Sequence, residues 1–172
     1  LDIYYSSVGK NSVLLVNIPP DTRGLINKSD IASLNEWSRI RNGTFKTNLA
    51  AKARVSSSNG KNERALLDGN YKTHWTTKGT DTTSVIEFTL LKPATFDVAM
   101  LQENITVGQR IEKFSIEYLD KGKWKALTEG TTVGYKRLLK FKPVTSGKLR
   151  VTINSSRLNP TLSEFGLFKQ IE

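Results

Sequence analysis

Cysteine is absent from the 172 residues, which excludes disulfides and thiolate metal centres. That absence does not separate a cytoplasmic protein from a bacterial exported one. Histidine occurs once, at His74, with no Ser or Cys nucleophile motif beside it, so no histidine-based catalytic centre is read there. No apolar run approaches the ~20 residues of a membrane-spanning helix. An initiator Met is missing at Leu1, so the natural N-terminus is expected upstream. Acidic residues are scarce: 16 Asp and Glu stand against 26 Lys and Arg, giving a net charge of +10.

That charge admits an anionic or sulfated polymer as partner, but its distribution argues against nucleic acid. The cations are scattered. The densest groups, Lys121–Lys125 and Lys136–Lys142, have the texture of strands with one solvated face.

The first 45 or so residues read as helix end, strand, helix. Ile3-Tyr4-Tyr5 closes a helix with Gly9 available for a left-handed cap. Val13–Val16 and Ile18, stopped by Pro19-Pro20, form an apolar run suited to a strand buried on both faces, as in parallel sheets. A second helix, capped by Asn27 or Ser29, carries Ile31, Leu34, Trp37 and Ile40 at helical spacing. Arg41 to about Asn48 reads as a linker. The apolar faces of Val13–Val16, Ile31, Leu34 and Trp37 then require cover from the rest of the chain or from a partner.

From about Leu49 the periodicity changes to two. Ile86, Phe88 and Leu90 alternate with polar residues, as do Phe114, Ile116 and Tyr118, and Leu149, Val151 and Ile153. Trp124–Leu127, Leu138–Phe141 and Phe165–Phe168 add three strands. Asp120-Lys-Gly and Thr145-Ser-Gly supply turns. The pattern predicts a mainly β fold, an antiparallel sandwich or jelly roll. Trp37, Trp75 and Trp124 each sit in an apolar pattern and are expected in the core rather than as sugar platforms.

Asp68, Asn70 and Thr73, spaced around Gly69, gather oxygens suited to a hard cation such as Ca²⁺, with Glu164 as a candidate second carboxylate. The same residues also suit an Asx-turn without metal. Asn104, Arg110 and Tyr135, at the ends of predicted strands, are candidate carbohydrate contacts on exposed loops. No paired carboxylates for glycoside chemistry are found; Asp21 stands alone beyond the apolar run.

Tyr5–Ile26, with Ser-Val-Gly-Lys-Asn, the apolar strand, Asn-Ile-Pro-Pro-Asp and Gly-Leu-Ile in order, resembles the end of the catalytic (β/α) barrel of glycoside hydrolase family 29 α-L-fucosidases. Ala65–Trp75, Gln109–Phe114 and Ser163–Phe168 resemble a discoidin (factor 5/8 type C) domain, related to carbohydrate-binding module family 32. The resemblance implies a barrel remnant over 1–45 and a discoidin-like sandwich over 46–172. It implies a structural Ca²⁺ held by side chains of Asp68, Thr73 and Glu164 and by carbonyls of Ala65, Asn70 and Ser163. The implied parent is a retaining, periplasmic or extracellular bacterial fucosidase acting on fucosylated glycans, its catalytic carboxylates on an upstream barrel. This chain is then an inactive C-terminal module; the alternative is an autonomous lectin-like module.

Overall fold

The period-two segments pair into one antiparallel sheet of eight strands that folds over on itself. The computed structural model describes residues 1–172. Its strands are β1 (Arg54–Ser57), β2 (Gly60–Lys61), β3 (Trp75–Thr77), β4 (Ser84–Glu103), β5 (Ile111–Asp120), β6 (Lys123–Gly130), β7 (Arg137–Ser156) and β8 (Thr161–Phe168). The order is β2-β3-β8-β4-β7-β5-β6, with β1 also on β4.

The two 20-residue strands, β4 and β7, make the corners. Residues 84–89 of β4 lie between β1 and the second half of β7, whereas residues 98–103 lie between β8 and the first half of β7. Register is lost between Thr89 and Ala94 and again between Phe96 and Val98. Pro93 and Pro143 fall in these gaps, where a residue without an N–H breaks no ladder bond. The predicted turn at Thr145–Gly147 lies inside β7 at this corner, with Ser146 Oγ 2.8 Å from the Leu119 carbonyl. The Asp120-Lys-Gly turn does form, with Lys121 and Gly122 at positive φ joining β5 to β6.

Inward-facing Ile86, Phe88, Phe114, Ile116, Leu149, Val151 and Ile153 meet Trp75, Leu101, Leu162, Phe165 and Leu167 across the sandwich. Phe88 and Phe165 stack between the layers at 4.0 Å between centroids. The fold class is therefore mainly β, a discoidin-like antiparallel sandwich. The core expectation fails for two of the three tryptophans. Trp75 is fully buried, but Trp124 is half-buried under the Arg150 guanidinium, 4.5 Å from its ring, and Trp37 is half-buried on a helix.

Two helices precede the sheet: α1 (Asp2–Ser6) and α2 (Lys28–Phe45). Asn27 is the cap of α2, its side chain accepting the Ser29 N–H at 3.0 Å. The expected linker differs: α2 runs on to Phe45, because Thr44 and Phe45 dock against the last residues of the chain. The Thr44 hydroxyl accepts the Ile171 N–H, and Phe45 packs on Phe168 at 5.1 Å. Tyr5, Val98, Leu138 and Phe168 form a second apolar cluster with Tyr4, Phe45 and Met100, so the helices cover the outer face of β8.

Gly9 is not a left-handed cap. A side chain there would strike the Tyr5 carbonyl at 2.5 Å and Leu138 at 2.9 Å, and the Gly9 carbonyl accepts the Leu138 N–H. The left-handed residue is Asn11, whose side chain accepts the Lys136 N–H at 2.8 Å and donates to the Val133 carbonyl at 2.9 Å. The strand expected at Val13–Ile18 does not form. Strands need hydrogen-bonding neighbours, and here there are none; Val13 is 87% and Leu15 91% exposed. Ile31, at the start of α2, is exposed as well, while Leu34 and Trp37 are half covered.

Candidate functional site

The short 3₁₀ helix Glu63–Leu67 delivers its chain into Asp68-Gly69-Asn70, and β8 brings Glu164 to the same place. Gly69 takes φ +69°, a value that costs a residue with a Cβ and suits glycine. Its N–H donates to Glu164 Oε2 at 3.1 Å. The Asp68 carboxylate accepts the Asn70 N–H at 2.8 Å, and the Asn70 side chain accepts the Lys72 N–H at 3.1 Å, so two Asx-turns follow one another. Thr73 Oγ1 lies 2.6 Å from Asp68 Oδ2 and 2.8 Å from the Asn70 carbonyl oxygen. Its single hydrogen serves one of these acceptors at a time.

Ala65 is buried in the 3₁₀ helix, and Ser163 is buried beside Glu164 in β8 with its hydroxyl unpaired. The structure thus brings Asp68, Asn70, Thr73 and Glu164 into one loop–strand junction, with Ala65 and Ser163 on the same two elements. Two carboxylates meet there, with no third acidic, His or Cys side chain in a ligating group. Glu164 is 8% exposed. Burial, then the Asp68 charge, pushes its carboxyl from 4.5 up to about 7, against the opposing Gly69 N–H. An all-oxygen set with more acceptors than donors and a buried carboxylate beside a second one fits a hard cation.

The carbohydrate candidates do not converge. Asn104 is 4% exposed, not on an exposed loop surface. Its carbonyl oxygen caps the 3₁₀ turn Ile105–Val107 by accepting from Thr106, and its amide nitrogen lies 3.0 Å from His74 Nδ1. Arg110 is stapled to the carbonyls of Val107 and Asn159. Only Tyr135 is open, 49% exposed and 4.9 Å from the Tyr71 ring. These two tyrosines, with Lys46, Gln102, Lys136 and Glu164, line a cleft of about 460 Å³. Burial holds the Lys136 ammonium below its ordinary pKa.

Glu103 escaped sequence reasoning. It is fully buried, and its carboxylate accepts three backbone N–H groups: Arg110 at 2.6 Å, Ile111 at 2.9 Å and Gly134 at 3.0 Å. It fixes both loops that carry the candidates. Nothing local marks it, since its partners lie 7, 8 and 31 residues away.

A folded-over antiparallel sheet whose first long loop is tied to its last strand defines a β-sandwich module of the discoidin class. The chain belongs to the F5/8 type C domain family, whose model matches residues 50–164. It is 36% identical over 178 residues to alpha-L-fucosidase 1 of Arabidopsis thaliana, a match taking in 98% of this chain and 35% of that protein. Among solved structures, SpGH29 superposes with a TM-score of 0.93 at 38% identity, over 99% of this chain and 38% of that one. A Ruminococcus gnavus GH29 fucosidase in complex with fucose gives 0.93 at 34% identity, over 99% and 36%. The chain spans about a third of the length of the curated relatives it matches, in their C-terminal part.

Proposed function

We propose that this chain serves as the non-catalytic C-terminal module of a family 29 α-L-fucosidase, docked on an upstream catalytic barrel that acts on fucosylated glycans. One observation carries the reading. The F5/8 type C match covers residues 50–164, whereas the fucosidase matches run over 98–99% of the chain and so include α1, the apolar segment and α2. A free-standing discoidin module has no need of those first residues. Their exposed Val13, Leu15 and Val16 are what a barrel strand offers to neighbours on both sides. On this reading residues 1–45 close the barrel and 46–172 form the accessory domain. The test is to raise an antibody against the chain and recover its native source protein. The expected product is a polypeptide about three times as long that releases aryl α-L-fucoside, while the chain alone releases none. A native product of this chain's size, or activity in the chain alone, overturns the reading.

Within it, Asp68, Thr73 and Glu164 side chains with the Ala65, Asn70 and Ser163 carbonyls hold Ca²⁺, tying the first loop to the last strand. The cation is structural, and the buried Glu164 carboxylate supports it. On the family resemblance alone the parent enzyme is exported, periplasmic or extracellular; fractionation of the source cells tests this.

A second reading, carbohydrate binding by the sandwich itself, is favoured by the Tyr71–Tyr135 cleft, where an exposed ring stands beside amide, ammonium and carboxylate groups. Calorimetric titration with fucose, galactose and N-acetylhexosamines tests it. Loss of binding in Tyr135→Ala supports it, and heat-silent titrations with all of them reject it.

A further inference from the structure

One end of the Tyr71–Tyr135 cleft holds a cation that nothing in the chain neutralises. In the β4–β7 pairing Leu138 lies opposite Met100 and Arg137 opposite Leu101; in the β4–β8 pairing Glu164 lies opposite Gln102. Side chains alternate along a strand, so Met100, Gln102, Leu138 and Glu164 share the outer face, away from the core residue Leu101. Lys136, two residues before Leu138, joins them. Lys136, Gln102 and Glu164 thus line the cleft as one row across the ends of β7, β4 and β8. The row spans about 10 Å between its outer backbones, at about 4.8 Å per strand. The Lys136 side chain is half-buried and makes no hydrogen bond or ion pair within the chain. Burial alone lowers its pKa, and no carboxylate, Glu164 included, offsets that burial.

The rest of the cleft is arranged in advance. Glu103 holds the Gly134 N–H at 3.0 Å and Asn11 the Lys136 N–H at 2.8 Å, so the backbone carrying Tyr135 is pinned on both sides. The Tyr71 hydroxyl donates to the Glu103 carbonyl at 3.0 Å, and its ring buttresses that of Tyr135. Gln102 donates its amide hydrogen to the Tyr135 carbonyl at 3.2 Å, which leaves its side-chain oxygen free to accept. An exposed ring beside a free amide oxygen suits the apolar face and the hydroxyls of a sugar. A half-buried ammonium without a partner costs free energy that an anionic group on the ligand relieves. Glu164, at the far end of the row, accepts from hydroxyls but repels a second anion. That favours one singly charged ring over an acidic peptide with charges along its length.

We propose that the Tyr71–Tyr135 cleft binds a sugar ring bearing one anionic substituent, a carboxylate or a sulfate ester, with that group on Lys136, the ring against Tyr135 and a hydroxyl on Gln102. The inference rests on the carbohydrate-binding reading of this cleft and narrows it to one class of sugar.

The experiment is titration of the ¹⁵N-labelled chain with glucuronate, galactose 6-sulfate, neutral galactose, inorganic sulfate and an oligoglutamate peptide at about 0.15 M salt, where long-range charge attraction is screened. One or both acidic sugars should move the amides of Gln102, Tyr135 and Lys136 saturably, and which does so separates the carboxylate from the sulfate ester. Neutral galactose should move the same amides with about tenfold lower affinity. Lys136→Gln should bring the acidic sugars down to the affinity of galactose. Lys142→Gln, exposed and outside the cleft, should leave them unchanged. The comparison of acidic with neutral sugar on the natural sequence keeps the proposal testable if Lys136→Gln fails to fold. No shifts with any sugar reject the carbohydrate reading, and this inference with it. Galactose bound as tightly as the acidic sugars, or an acidic preference that survives Lys136→Gln, overturns this inference alone. So does inorganic sulfate or the peptide binding as tightly as the acidic sugars.

Discussion

Glu164 accepts the N–H of Gly69 at 3.1 Å, a bond that closes 95 residues of chain and joins the loop after the 3₁₀ helix to the last strand. It also holds a buried carboxylate close to that of Asp68. Without a cation, this junction carries repulsion inside the fold and one amide to offset it. With a cation, the same groups become ligands. The tie between the beginning and the end of the sandwich should therefore depend on metal and on pH together.

Removing divalent cations with a chelator should lower the melting temperature, and Ca²⁺ should restore it. In chelated protein the folded-state pKa of Glu164, about 7, lies above the ordinary 4.5, so the folded chain binds the proton more tightly than the unfolded one. Stability from this group is then greatest below about 4.5, declines as pH rises towards 7, and is flat beyond. Glu164→Gln removes the charge and keeps an acceptor for Gly69. It should stabilise the chelated protein at pH 8 by about 1–3 kcal/mol and destabilise the Ca²⁺-loaded one. Thermal melts of both proteins with and without Ca²⁺ check the crossing; parallel curves would remove the cation from the account.

Glu103 predicts a larger effect with no metal dependence. Its two oxygens accept three backbone N–H groups in a fully buried place. In Glu103→Gln one oxygen becomes an NH₂ facing a donor, which should cost about 2–4 kcal/mol. Urea denaturation should show the loss, and amide exchange should rise at Arg110, Ile111 and Gly134 together. A variant as stable as the natural chain would contradict the three-amide arrangement.

These two carboxylates also mark what sequence alone could carry. The strands at Ile86–Leu90, Phe114–Tyr118 and Leu149–Ile153 were legible because period two records one buried face, and the structure buries those residues. Asp68, Asn70 and Thr73 were legible because turn chemistry is local. Glu164 was reachable as the second carboxylate that a hard cation requires and again through family resemblance, but Glu103 not at all, since burial of an acid is decided by amides far along the chain. The joining of 84–103 into one strand was hidden by Pro93, which reads as a stop and sits instead in a register gap. Gly9 and Arg41–Phe45 were misread for the same reason: Leu138 and Phe168, which decide them, are more than a hundred residues away.

Arg150 ties β7 to β5 and β6 on one face of the sheet. It forms a two-point ion pair with Glu117, at 2.6 and 3.0 Å, and lies 4.5 Å over the Trp124 ring. The Arg150 hydrogen bond holds the Glu117 carboxyl below its ordinary pKa. That contribution is present above the ordinary carboxylate range and is lost as pH falls through the lowered value. Arg150→Lys should cost about 1 kcal/mol, because one ammonium cannot serve both oxygens and the ring. A double-mutant cycle with Glu117→Gln should give a coupling of similar size. Zero coupling would reduce the pair to surface charges.

The segment before α2 predicts the opposite behaviour: substitutions that leave stability alone. Val13 and Leu15 touch almost nothing, at 87% and 91% exposed, so burial on folding contributes nothing at these positions in the chain by itself. Val13→Ser and Leu15→Ser should therefore change the unfolding free energy by less than about 0.5 kcal/mol. Self-association should fall, because a contiguous apolar run open to solvent pairs with other copies. Sedimentation velocity of the natural and doubly substituted chains at matched concentration measures this. Inside a longer fucosidase the same changes should be severe, since each residue would leave a buried barrel strand, with losses of about 2–4 kcal/mol apiece. Equal tolerance in both settings would mean that Val13–Ile18 is not a barrel strand, and the assignment of residues 1–45 to the barrel would fall with it.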